Sequence, residues 1–222
     1  MKKLFPLVLV AIFCFIGIEF SAAQNDIKNK DLKAIKLAKQ EAKKRLKEGW
    51  DVPPGSIPME KLFERAWAME LETGDDGNPK YLMATGSAVG GTKTAADLAA
   101  MTAARNEMAA ALQTKISQLI ETKTANDQID QNIANTLDKT VANGKALIQA
   151  SLEQVKTGYK IYKNVADKQN KKENIAVEVK LFYDQDEALK SAQKAIRKKL
   201  EEESDELGEE LDKILKDMGW PE

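Results

Sequence analysis

Histidine is absent from this chain, and cysteine occurs once, at Cys14. Without an imidazole there is no Ser-His-Asp or Cys-His relay, no histidine general base, no haem held by histidine and no Cys/His zinc site. Aromatic residues reach only 6%, and neither charge sign dominates: 34 basic and 35 acidic groups leave a formal charge of −1. A balanced chain sets up no global field toward nucleic acid or an anionic membrane. Charged residues make up 31%, which suits long solvated helices around a modest core. The 222 residues suffice for one sizeable domain, or one domain with helical extensions.

The first residues read as a secretory leader. Lys2 and Lys3 precede an apolar run from Leu4 to Ile18, and Ser21-Ala22-Ala23 supplies small residues at the cleavage position. The cut is expected after Ala23, leaving Gln24 first and no membrane span after cleavage. The run is shorter than the roughly 20 residues of a membrane helix, and Glu19 interrupts its end. Cys14 follows Phe13 inside the run, where a lipid anchor is not expected. Past the cut no cysteine remains, so the mature chain has no disulfide framework and packing must stabilise it.

Residues 86 to 120 organise the rest. Tyr81-Leu82-Met83-Ala84 reads as a strand, Gly86, Gly90 and Gly91 as a turn, and Thr92 or Thr94 as the cap of a helix with Asp97 in its first turns. Leu98, Met101, Met108, Leu112, Ile116 and Leu119 recur at spacings of three and four, which predicts an apolar stripe. The alanines beside it, from Ala99 to Ala111, would let the backbone lie close to a neighbour. The architectural residues are expected to be Gly86, Gly90 and Gly91 for the turn and Leu98, Met101, Met108 and Leu112 for the core.

Around this helix, Asp26 to Glu48 is predicted as a lysine-rich helix with Ile27, Ile35, Ala38, Ala42 and Leu46 on its apolar side, ending at Gly49. Trp50 to Gly55, with Pro53-Pro54, is an extended connector. Ser56–Ala66 reads as a short helix. Trp67–Glu72 alternates like a strand and, through the turn Gly74 to Pro79, would pair with Lys80–Val89 as a hairpin. Ile129 to Leu152 keeps helical phase, with Asn143-Gly144 as a kink or split. Gln154–Val165 and Ile175–Tyr183 form a second hairpin, and Asp184 or Asp186 caps a final long helix with a heptad-like seam from Leu189 to Met218, broken at Glu203. The expected fold is α+β: an antiparallel sheet of about four strands in two hairpins, packed on two central helices, with long helices at both termini. The expected layout is a leader (1–23), an N-terminal helix (24–49), an α+β domain (50–184) and a C-terminal long helix (185–222).

No pattern predicts catalytic, cofactor-binding or metal-binding residues. Gly86 to Thr94 follows a strand and precedes a helix, but Thr92 stands where a phosphate loop needs its lysine, so the glycines are read as bending and packing residues. Ser87 lacks the flanking glycines of a nucleophile elbow. Asp75-Asp76-Gly77-Asn78 lacks the spaced ligands of a calcium loop and reads as a turn. Glu64, Glu70 and Glu72 could supply a glycosidase pair, though solvated faces explain them as well. Lys168, Lys171 and Lys172 sit at a polar hairpin tip.

Trp50 near Pro53-Pro54-Gly55, the strand Tyr81–Gly86, the helix with Ala95, Ala99, Ala103 and Leu112, and the strand Ile175–Tyr183 together resemble the twenty-kilodalton-lipoprotein-like family of Gram-negative envelope proteins. The family fold is similar to the N-terminal domain of a flagellar-assembly periplasmic protein. The resemblance covers about residues 50 to 184. It implies a compact α+β domain in the periplasm or at the outer membrane, with no catalytic residues to carry over. This chain lacks the acylated cysteine of the lipoprotein members. The expected role is therefore a non-catalytic structural or adaptor module in the envelope. Its partners would be other envelope proteins, with homo-oligomers possible through the terminal helices. A periplasmic holdase and a carboxylate-dependent glycan hydrolase or binder are the alternatives.

Overall fold

The computed structural model describes residues 30–217 other than 76, 127–128, 153–154, 167–172 and 203. The expected leader, Ile27, the lysines at 168, 171 and 172, Glu203 and Met218 lie outside the described residues. Helix α1 occupies 30–47, followed by α2 (Met59–Leu71), β1 (Tyr81–Gly90) and α3 (Lys93–Ala125). Then come α4 (Gln131–Asn143), α5 (Lys145–Ser151), β2 (Lys156–Ala166), β3 (Glu173–Asp184), α6 (Gln185–Glu201) and α7 (Asp205–Asp217).

The described sheet is antiparallel with three strands in the order β1-β3-β2. The α+β class is as expected, but the fourth strand expected at 67–72 is not formed. Residues 67–71 continue α2 instead. Met59, Phe63 and Ala66, at spacings of four and three, bury one helical face, and Trp67 extends that face. Six residues of alternation could not outweigh a helix already anchored upstream. The Gly74–Pro79 turn, with Gly77 at φ 79°, therefore joins a helix to a strand.

β3 lies between the other two strands, so both its edges are paired, and helices cover both its faces. Its odd residues Val177, Val179, Leu181 and Tyr183 meet α3, and Phe182 meets α1 and α2 on the opposite side. The α1/α2 layer adds Ala38, Ala42 and Phe63 against Tyr159 and Ile161 of β2, with Phe63 edge-on to Tyr159 at 4.7 Å between ring centroids. Leu46, expected on the buried side of α1, is exposed; Ala34, Ala38 and Ala42 carry that face.

The cap of α3 is as expected: Thr92 Oγ1 accepts from the Ala95 amide at 3.2 Å. Gly86 and Gly90, expected in the turn, instead lie within β1 and pair with Val179 and Ile175, and only Gly91 of the three follows the strand. The buried line of α3, however, begins with Ala96, Ala100 and Ala104 before reaching Met108, Leu112, Ile116 and Ile120. Leu98 is 70% exposed. A Cβ on Gly86 would sit 2.0 Å from the Ala100 carbonyl oxygen, and one on Gly90 would sit 2.9 Å from the Ala96 amide nitrogen. Backbones that close admit only small side chains, which turns the alanines inward and Leu98 outward.

The helix predicted from Ile129 to Leu152 is split at Gly144, where a Cβ would stand 2.2 Å from Ile196 Cδ1 of α6. The C-terminal helix is likewise two helices. α7 folds back on α6 and buries Leu211, Ile214 and Leu215 in the same cluster as Ile196 and Leu200. Asp184 caps α6 through the amides of Asp186 and Glu187. α3 with α4 to α7 therefore forms one apolar layer beneath the sheet, and α1 with α2 forms the other.

Candidate functional site

The carboxylates raised as a possible glycosidase pair do not converge. Glu64 pairs with Lys61 at 2.6 Å, Glu72 with Lys80 at 2.6 Å, and Glu70 with Lys180. Each has its own ammonium partner. Among the described residues no group of three or more Asp or Glu could hold a metal ion.

Among the described residues the most deeply set charge, Glu178, is one that periodicity conceals. Glu178 occupies the polar alternate of β3, which alternation assigns to solvent. It is 7% exposed, because α1 lies over that face. Its Oε1 accepts from Arg45 Nη2 at 2.7 Å and from Tyr159 Oη at 2.9 Å. Arg45 also donates Nε–H to Glu41 at 2.7 Å, and its guanidinium lies 5.8 Å from the Trp50 ring centroid. Burial pushes the Tyr159 phenol well above its ordinary value, and the Glu178 charge and hydrogen bond add to the shift. For Arg45, burial acts downward, but Glu41 and Glu178 outweigh it and the net direction is up. Every member has a partner, so the cluster fastens α1 to the sheet.

On the other face, Asp97 of α3 accepts from Tyr162 Oη at 3.1 Å and Lys160 Nζ at 3.3 Å, tying α3 to β2. Lys93 Nζ stands 4.1 Å from the Tyr162 ring centroid. Desolvation raises the Tyr162 pKa, with the Asp97 hydrogen bond and charge next. Beside this group a cleft of about 420 Å³ is bounded by Pro53, Pro54, Lys93, Tyr162, Lys163 and Asn164. Its one hydroxyl-bearing aromatic is already committed to Asp97.

The remaining candidate is β1 itself. The two edges of the sheet differ. β2 carries Lys156, Lys160 and Lys163, and its Tyr162 exchanges backbone hydrogen bonds with Asp51 of the connector at 2.7 and 2.9 Å. Charged side chains and a covering segment are recognised ways to blunt a sheet edge. β1 has neither: Tyr-Leu-Met-Ala-Thr-Gly-Ser-Ala-Val-Gly contains no charge and no proline. Among the described residues its backbone pairs only with β3. The β1 face opposite α3 is bare along Met83, Thr85, Ser87 and Val89, with Val89 59% exposed. The sequence marked this strand but gave no sign that it lies at an edge, because strand order is not a local property.

Comparison with protein-family models, with curated proteins and with solved structures returns no match to this chain.

Proposed function

We propose that this chain is an exported, non-catalytic structural or adaptor module of the cell envelope that works through protein contacts, with β1 as the contact element. The observation that carries the reading is the contrast between the sheet's edges: β2 is charged and covered, whereas the ten residues of β1 are uncharged and, among the described residues, no segment pairs with their outer edge. An unblunted edge offers a row of backbone donors and acceptors to another chain. A hydrolase is less well supported, since Glu64, Glu70 and Glu72 are each neutralised by a different lysine. No helix among the described residues is long and apolar enough to cross a membrane. The reading agrees with the envelope-family resemblance and with the leader expected at 1–23.

The test is a photoreactive amino acid at Ser87, introduced in the native host, with the same group at the exposed Glu209 as control. The expected result is discrete protein adducts at position 87 and none at 209, in an envelope fraction where the protein begins at Gln24. Absence of adducts at 87, or a cytosolic protein with residues 1–23 attached, would overturn it.

A further inference from the structure

We infer that the occupant of the β1 edge is the β1 strand of a second copy, paired antiparallel about a twofold axis through Gly86. This rests on the reading of β1 as a contact element and names its partner. The strand is complementary to itself in one register. With Gly86 opposite the partner's Gly86, Met83 falls opposite the partner's Val89 and Thr85 opposite the partner's Ser87. The exposed apolar side chains of the bare face then cover each other, and the two hydroxyl residues form the kind of cross-strand pair that stabilises antiparallel ladders. On the α3 face the same register sets Ala84 opposite the partner's Ala88. A shift of one residue in the pairing sum would place bare-face residues opposite α3-face residues, so the pleat excludes it. With no charge between Tyr81 and Gly90, the paired strands bring no like charges together within the ladder.

α3 packs across both β1 and β3, so pairing about this axis sets the two copies of α3 on one face of a six-stranded sheet. Asp97, bonded to Lys160 and Tyr162, marks the flank of α3 turned toward β2. Ala99 and Ala103 lie on the opposite flank, toward the open edge, where small side chains leave two helices room to approach.

Sedimentation of the purified full chain tests this directly. The expected species has twice the mass of the single chain at micromolar concentration. Ser87→Lys sets an ammonium opposite the partner's Thr85 in both halves of the seam and brings the two new charges together as diagonal neighbours across the axis. It should raise the dimer dissociation constant about tenfold or more while leaving the circular dichroism spectrum unchanged. Register is read from disulfide formation in a Cys14→Ser background. A mixture of Thr85→Cys and Ser87→Cys chains should crosslink faster than either alone, because directly opposed pairs meet the distance a disulfide needs and diagonal ones do not. A chain that stays monomeric, a dimer indifferent to Ser87→Lys, or crosslinking no faster in the mixture would overturn the pairing. Adducts of position 87 with other proteins beside a monomeric purified chain would refute self-pairing alone and leave the contact role intact.

Discussion

Arg45 and Glu178, 133 residues apart in sequence, meet at 2.7 Å across the gap between α1 and β3. Both are shielded, with side chains 20% and 9% exposed, so neither charge is well served by water. Truncating one partner of such a pair strands the other, which typically costs about 3 kcal/mol or more. Arg45→Met should therefore lower unfolding stability by about 3 kcal/mol, measured by urea denaturation. In a Glu178→Met/Tyr159→Phe background, where no buried acceptor or donor is orphaned, the same substitution should be close to neutral. Equal losses in both backgrounds would show that Arg45 contributes by packing alone.

Two of the four tyrosines, Tyr159 and Tyr162, have phenols held neutral by burial and by an adjoining carboxylate. The ordinary phenol value is 10.0, and the folded values lie above it. A group raised in the folded state stabilises below its unfolded pKa and loses that contribution as pH rises through the folded value. Stability should hold up to about pH 10 and then fall steadily. Ultraviolet titration should show Tyr159 and Tyr162 ionising only as the protein unfolds. Tyr159→Phe should flatten part of the alkaline slope, and ionisation of both phenols near pH 10 in the folded protein would contradict the assignment.

The α3 contact is a matter of size. Gly86→Ala would drive a methyl into the Ala100 carbonyl, and thermal unfolding should report a loss of at least about 2 kcal/mol. Ala100→Leu, on the buried line, should be at least as damaging. Leu98→Gln, at a position 70% exposed, should stay within about 0.5 kcal/mol of the parent. Reversal of that order would restore the large apolar stripe as the true core face.

Asp97 links α3 to β2 through Tyr162 and Lys160. Asp97→Asn keeps an acceptor for the phenol but removes the charge. The Tyr162 pKa should therefore drop toward its ordinary value with only a small change in stability. An unmoved titration would place the cause in desolvation alone.

Local signals made β1, β3, the Thr92 cap and the break at Gly144 legible in sequence, because a strand of Val and Ile alternates and a cap needs only three residues. Trp67–Leu71 was misleading because a short alternating run is compatible with the last turn and a half of a helix. Leu98 misleads because apolarity alone does not reveal the closeness that Gly86 and Gly90 impose. Glu178, Arg45 and the open edge of β1 were not legible. Each depends on which segments become neighbours, through α1 crossing β3 or β3 taking the centre of the sheet. Residue types and spacings within one segment do not carry that information.

Amide hydrogen exchange across 81–90, compared between dilute and associated protein, tests most directly whether β1 is the surface this molecule uses. Alternate amides of β1 bond to β3 and should be protected throughout, while the outward-pointing ones should exchange fast when dilute and slow sharply on association. Slowing confined to that strand is the predicted result. Association that protects α6 and α7 while the outward amides of β1 keep exchanging would contradict the account.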